Sequence, residues 1–136
     1  MSDHRSISEL YARIGAELVE TEDALAHIRN SEATIVYLSS DAEKVSRGKR
    51  VLGQCERVPD RWKWAVPADF TITVFEPNVA GMSDRQLHIL LLHELLHVGI
   101  GTNKDGDEVY KVVPHDLEDF HAIVEAFGID WASRGT

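Results

Sequence analysis

Ser83-Asp84-Arg85-Gln86-Leu87-His88-Ile89-Leu90-Leu91-Leu92-His93-Glu94-Leu95-Leu96-His97-Val98-Gly99 is the stretch on which the fold turns. Ser83 followed three residues later by Gln86 has the form of a capping box, and Met82 stands where a hydrophobic staple to Leu87 would sit. A helix therefore opens here. Its apolar residues (Leu87, Ile89 to Leu92, Leu95, Leu96, Val98) run nearly all the way round, which predicts a buried helix rather than a surface one. Gly99 or Gly101 is the expected stop. Two histidines and a glutamate on such a helix are costly to bury unless something satisfies them.

Residues four apart share a helical face, so His93 and His97 can aim two imidazoles at one ion. Glu94 borders the same cleft, where a carboxylate can take a proton from an attacking water. With this chain's own His and Glu frequencies, the five-residue pattern would arise by chance in about three chains of a hundred. The plainer alternative is a pair of core histidines bonded to backbone.

A catalytic zinc takes three protein ligands and keeps one position open. The metzincin pattern would put glycine at 100 and histidine at 103, where the chain has Ile100 and Asn103, so that class is excluded. The next histidine is His115, which a short hairpin between two helices can fold back onto the first pair. Glu118 or Asp119 is the carboxylate alternative. Asp119 could also orient a ligand imidazole, or be a solvated acid in the first turn of its helix. His4, His27 and His88 have no partner pattern. His88 is rotated away from His93 and reads as structural, and His121 is ambiguous.

Outward from this stretch, the pattern reads α+β. Ile7, Leu10, Tyr11, Ile14, Leu18, Leu25 and Ile28 recur at helical spacing, with Ser6 and Glu9 as a capping box, and predict an N-terminal helix over 6–29. Residues 33–38, 50–58 and 69–75 are rich in β-formers and read as strands, the last two halted by Pro59 and Pro77. A loop lies around Arg47-Gly48-Lys49, and Trp62 and Trp64 stand between the second and third strands. After the histidine helix, Asp105-Gly106 signals a turn and Val109 to Val113 a strand. Pro114 suits the start of a C-terminal helix with the stripe Leu117, Phe120, Val124 and Phe127, closed by Gly128. The expected architecture is a sheet of three or four strands with helices at both ends of the chain.

The 136 residues are expected to form one domain, long enough to bury about two thirds of the unfolded surface. The formal charge of −9 argues against a nucleic-acid binder. The charge is uneven, since residues 43–63 hold seven basic side chains against three acidic ones. That stretch reads as a solvated basic loop and strand before it reads as a binding patch. The single cysteine, Cys55, excludes an internal disulfide and reads as a small half-buried strand residue. A reducing cytoplasm is the expected compartment. The N-terminus has no signal pattern, and Ile89 to Leu92 is too brief to span a membrane.

At Asp69-Phe70-Thr71-Ile72-Thr73, His93-Glu94-Leu95-Leu96-His97-Val98-Gly99, Val113-Pro114-His115-Asp116-Leu117-Glu118-Asp119-Phe120 and Gly128-Ile129-Asp130-Trp131, the sequence resembles the phage metallopeptidase domain family, zincin-like proteins of phages and bacterial genomes. The resemblance covers roughly residues 33–131. It implies a minimal zincin-like fold, one zinc ion on His93, His97 and His115, and Glu94 as catalytic acid/base. The arrangement is also similar to SprT-like proteases, which place a third histidine on a following helix. Those commonly add a basic or zinc-ribbon nucleic-acid module, and this chain has no such cysteine cluster.

The expected activity is hydrolysis of a peptide or protein substrate, held in extended form by a sheet edge beside the metal helix. Tyr37, Tyr110 or His121 could steady the oxyanion. Two other readings remain open: a non-catalytic module braced by zinc, and a metal-dependent hydrolase of another amide.

Overall fold

The computed structural model describes residues 3–114. In chain order its elements are β1 (Arg5–Ile7), α1 (Glu9–Thr21), α2 (Ala26–Arg29), β2 (Ile35–Ser40), β3 (Val45–Ser46), β4 (Lys49–Arg50), β5 (Gly53–Arg57), β6 (Phe70–Phe75), α3 (Glu76–Val79), α4 (Asp84–Leu95), β7 (Val98–Thr102) and β8 (Glu108–Val112). This is a mixed α+β architecture.

The two most apolar strands lie side by side. β2 and β6 are parallel, with Ile35 opposite Phe70 and Ser40 opposite Phe75. β1 joins β2 and β5 joins β6, both antiparallel, so the sheet runs β1-β2-β6-β5. Side chains alternate across a sheet, so this register sends Tyr37, Cys55, Phe70, Ile72 and Val74 to one face. α1 and α4 cover that face, and Tyr11, Ile14, Leu18, Ile89, Leu91 and Leu95 complete one buried apolar cluster with the strand residues. On the other face the Arg5 guanidinium donates to Thr73 Oγ1 at 3.1 Å and to Glu56 Oε1 at 3.2 Å.

The expected helix over 6–29 is two helices preceded by a strand. Ser6 pairs with Ser39 in β1, and Ser8 is the cap, its hydroxyl accepting the Tyr11 N–H at 3.1 Å. Sheet pairing of residues 5–7 outweighs the local capping pattern of Ser6. At Glu22 the backbone returns to the extended region (φ −89, ψ 122), which ends α1 before a 3₁₀ turn leads into α2. Tyr11, Ile14, Leu18, Leu25 and Ile28 are buried as their spacing predicts, whereas Ile7 and Leu10 are exposed.

The expected strand 50–58 is also divided. Lys49 and Arg50 pair back on Val45 and Ser46, and β5 starts only at Gly53. The hairpin turn between them is Arg47-Gly48, both at positive φ (53 and 77), as a two-residue turn of this twist demands.

α4 opens with the expected capping box: the Ser83 hydroxyl accepts the Gln86 N–H at 3.2 Å, and the Gln86 side chain accepts the Ser83 N–H at 2.9 Å. It ends at Leu95, earlier than expected, and Gly99 and Gly101 lie in β7 rather than acting as stops. Gly99 is needed there for close approach. A β-carbon on it would sit 2.6 Å from Val113 Cγ2 and 2.9 Å from the Lys111 carbonyl. β7 and β8 form a hairpin whose turn is organised by Asn103, its side-chain oxygen accepting the N–H groups of Asp105 and Asp107 at 2.9 and 3.0 Å. Gly106 takes the positive φ of 86 that this turn requires.

The C-terminal helix expected from Pro114 onward lies outside the described residues. Among the described residues no helix is long and apolar enough to cross a membrane.

Candidate metal and catalytic site

His93 and Glu94 occupy the last turn of α4, and His97 follows the helix end by two residues. The expectation that one helix carries both histidines is therefore corrected in detail. The pair stays together because Leu96 keeps a helical backbone (φ −68, ψ −16) and the His97 N–H still donates to the Glu94 carbonyl at 3.1 Å. The two imidazole centroids are 5.3 Å apart with planes inclined at 66°. Glu94 Oε2 lies 3.9 Å from His93 Nε2, and the Glu94 side chain is only 6% exposed.

His97 Nδ1 is 2.5 Å from the carbonyl oxygen of Val113. A carbonyl can only accept, so Nδ1 carries the proton and Nε2 is the basic nitrogen of this ring. The Val113 N–H donates back to the His97 carbonyl at 2.7 Å. The sequence alternative of histidines bonded to backbone is thus realised for one ring nitrogen of His97. A ligand imidazole commonly makes the same bond.

The three side chains line an open cleft of about 220 Å³, together with Gly53, Gln54 and Cys55 of β5 and Val112 of β8. Gly53 abuts the carboxylate: a β-carbon on it would meet Glu94 Cγ at 3.2 Å and Oε2 at 3.3 Å. Burial pushes the Cys55 thiol up to about 12, with the charges of Glu94 and Glu56 adding to the effect. It is therefore an uncharged wall of the cleft. The local sequence marks Cys55 only as a strand residue, and nothing in it indicates that Cys55 lines the site. Gly53 was missed as well, although a glycine inside a strand is a known sign of close approach.

From residue 4 to residue 134 the chain matches the model of the family described as "Putative phage metallopeptidase". The chain belongs to this family. No curated protein and no solved structure matches it significantly. The phage metallopeptidase name designates a metal-dependent peptidase, so the family implies a metal cofactor and peptide or protein substrates.

In this member of the family, His93, Glu94 and His97 come together. His115, Glu118, Asp119 and His121 lie outside the described residues. Among the described residues no group of three or more His, Cys, Asp or Glu could hold a metal ion. Neither candidate tyrosine lines the cleft. Tyr37 is packed over Gly15 of α1, and burial pushes its hydroxyl up to about 12. Tyr110 donates to Glu108 Oε1 at 2.7 Å, and its hydroxyl is also pushed up to about 12, by burial and then by this bond. His27 Nε2 meets the Val98 carbonyl at 2.9 Å and His88 Nδ1 the Asp84 carbonyl at 2.8 Å, so both rings serve local structure.

Proposed function

We propose that the chain is a minimal zincin-like peptidase that holds one zinc ion on His93, His97 and His115 and uses Glu94 as general base. The observation that carries this reading is the meeting of two imidazoles and a buried carboxylate in one open cleft, with rings 5.3 Å apart. The donor set suits zinc, which accepts neutral imidazole nitrogen at a three-ligand site. His97 fits that use because its Nδ1 is already committed to the Val113 carbonyl. In the sequence His115 follows Val113 by two residues.

Zinc at this place would supply Lewis-acid polarisation of the scissile carbonyl and make water more acidic. The chain's own groups would do the rest. Glu94 would accept the proton of the attacking water on its carboxylate and return it to the leaving amine. Its burial keeps that exchange away from bulk solvent. Gly53, with no side chain, leaves the approach open.

β5 would hold the substrate. The Phe75 N–H donates to Leu52 and the Val58 N–H to the Asp69 carbonyl, at 3.0 and 2.9 Å. Antiparallel bonding alternates, so residues 52, 54, 56 and 58 bond inward to β6 and residues 53, 55 and 57 turn their N–H and C=O groups outward. Among the described residues β5 is an edge of the sheet. An extended peptide can add to that edge as a further strand.

The decisive experiment compares wild type with Glu94→Gln on a library of peptides digested from a bacterial proteome, with zinc supplied. Loss of cleavage by about a hundred-fold or more is expected. Undiminished cleavage by the variant overturns the assignment of Glu94. Metal content measured on wild type and His115→Ala tests the third ligand.

A second reading, a zinc-braced module without catalysis, draws on the paired bonds between His97 and Val113, which tie the end of α4 to the end of the β7–β8 hairpin. It requires that a chelator unfold the protein and that Glu94→Gln alter only stability.

A further inference from the structure

We propose that the loop after β5, residues 59–66, is a recognition site for the distal part of a peptide substrate, receiving an aromatic side chain on Trp64 and a neighbouring carboxylate on Arg61. The proposal rests on the peptidase reading of the cleft and names the substrate class that the cleft takes.

Both walls of the cleft lead to this loop. On β5, Gly53, Cys55 and Arg57 share one face. Gly53 and Cys55 line the cleft, and Arg57 stands about 13 Å along the strand from Gly53. On β8, Val112 lines the cleft and Tyr110, two residues away, shares its face. The Tyr110 ring stands edge-on to Phe70 with centroids 5.7 Å apart, and Phe70 is opposite Arg57 in the sheet register. Lys63, from the loop, places its ammonium 5.7 Å from the Tyr110 ring centroid. A peptide extended along β5 from Glu94 therefore runs onto the loop some five to seven residues from the bond that is cut.

The loop carries what such a segment would need. Trp64 is 81% exposed, Trp62 48% and Val66 36%. Exposed aromatics gathered on one short segment mark recognition surfaces, because their rings give large contact area at small entropic cost. Residues 57–66 hold three basic side chains against one acidic, in a chain whose formal charge is −9. The ion pairs among the described residues engage Arg57 with Asp60 at 3.3 Å and Lys63 with Asp69 at 3.0 Å, but not Arg61. The Arg61 guanidinium lies 6.0 Å from the Trp62 ring centroid. A carboxylate repelled by most of this acidic surface is drawn to that point. Trp and Arg also suit a single-stranded nucleic acid. The small local charge would offer few phosphate contacts, which favours the peptide.

The test has two arms. In the first, wild type, Trp64→Ala and Arg61→Glu are compared on the proteome-derived library. Wild type is expected to enrich an aromatic residue beside Asp or Glu five to seven positions from the scissile bond, on one side only. Trp64→Ala should lose the aromatic preference, and Arg61→Glu should exchange the acidic preference for a basic one. Unchanged profiles in both variants overturn the proposal.

The second arm needs no turnover. Tryptophan fluorescence of Glu94→Gln protein is titrated with a synthetic peptide carrying Phe-Glu-Phe-Glu in a Gly-Ser background, and with a Phe-Lys counterpart. The acidic peptide should bind about ten-fold tighter than the basic one, and about ten-fold more weakly once Trp64 is alanine. Equal binding of the two peptides overturns the proposal even where the peptidase reading stands. Tighter binding of an oligothymidylate at about 0.15 M salt overturns it in favour of nucleic acid. Failure of the peptidase reading is seen separately, as cleavage that survives Glu94→Gln.

Discussion

His97 and Val113 are bonded to each other twice, the imidazole Nδ1 to the Val113 carbonyl at 2.5 Å and the Val113 N–H to the His97 carbonyl at 2.7 Å. The orientation of the second histidine thus depends on a backbone group beyond the β7–β8 hairpin. Val113→Pro deletes the returning N–H and fixes φ, so both bonds are strained at once. On the proposed zinc site, the expected result is an affinity lowered by about 10- to 100-fold, measured by competition with a chelator. Affinity within two-fold of wild type would mean that the paired bonds do not orient His97.

Gly15 of α1 faces the Tyr37 ring so closely that a β-carbon at residue 15 would overlap it. Alanine is the better helix former by about 1 kcal/mol. The overlap opposes this, because Tyr37 is buried and held by its neighbours. Overpacking costs about 1–3 kcal/mol, so Gly15→Ala is expected to lower stability, read as an earlier midpoint in urea. A stabilised variant would show that the ring can yield.

The features that local chemistry controls were legible in the sequence. The Ser83–Gln86 capping box, the Asp105-Gly106 turn, the apolar runs that become β2 and β6, and the convergence of His93, Glu94 and His97 all follow from neighbours within a few residues. What failed depended on partners distant in sequence. Ser6 has the capping pattern, yet its pairing with Ser39 keeps it in a strand. Gly99 looks like a helix stop, and only the approach of Lys111 and Val113 reveals why a glycine is there. Gly53 and Cys55 became part of the site because β6 sets β5 beside α4, a relation no local window contains.

Asp69 gives a pH-dependent contribution whose sign can be worked out. Its carboxylate accepts the Thr34 N–H at 2.9 Å and the Lys63 ammonium at 3.0 Å. Burial alone would raise its pKa, but the Thr34 bond and the Lys63 charge outweigh burial and hold it below the ordinary 3.8. A carboxyl with a depressed folded-state pKa stabilises fully above its unfolded value and loses that stabilisation as pH falls through the folded one. Asp69→Asn should therefore cost about 1–2 kcal/mol at neutral pH, and the deficit should shrink as urea denaturation is repeated from about pH 6 down to about pH 3. A deficit that is constant with pH would assign the role of Asp69 to shape rather than charge.

On the proposed mechanism, Gly53→Ala separates the positioning of Glu94 from the holding of substrate. Among the described residues positive φ occurs only at Arg47, Gly48 and Gly106, so the backbone at residue 53 accepts alanine without strain. The new β-carbon would lie 3.2 Å from Glu94 Cγ, 3.3 Å from its Oε2 and 3.3 Å from the Thr73 carbonyl. The carbonyl belongs to a central strand and cannot move, so the glutamate side chain must give way by a few tenths of an ångström. Small misplacements of a reacting group are costly, and kcat is expected to fall by about ten-fold. Zinc affinity should be unchanged, because neither histidine is touched. KM should be nearly unchanged, because the outward N–H and C=O of residue 53 remain. A rise in KM at constant kcat would instead mean that the glycine keeps the strand edge clear for substrate, and no change in either constant would mean that Glu94 is not held by this contact.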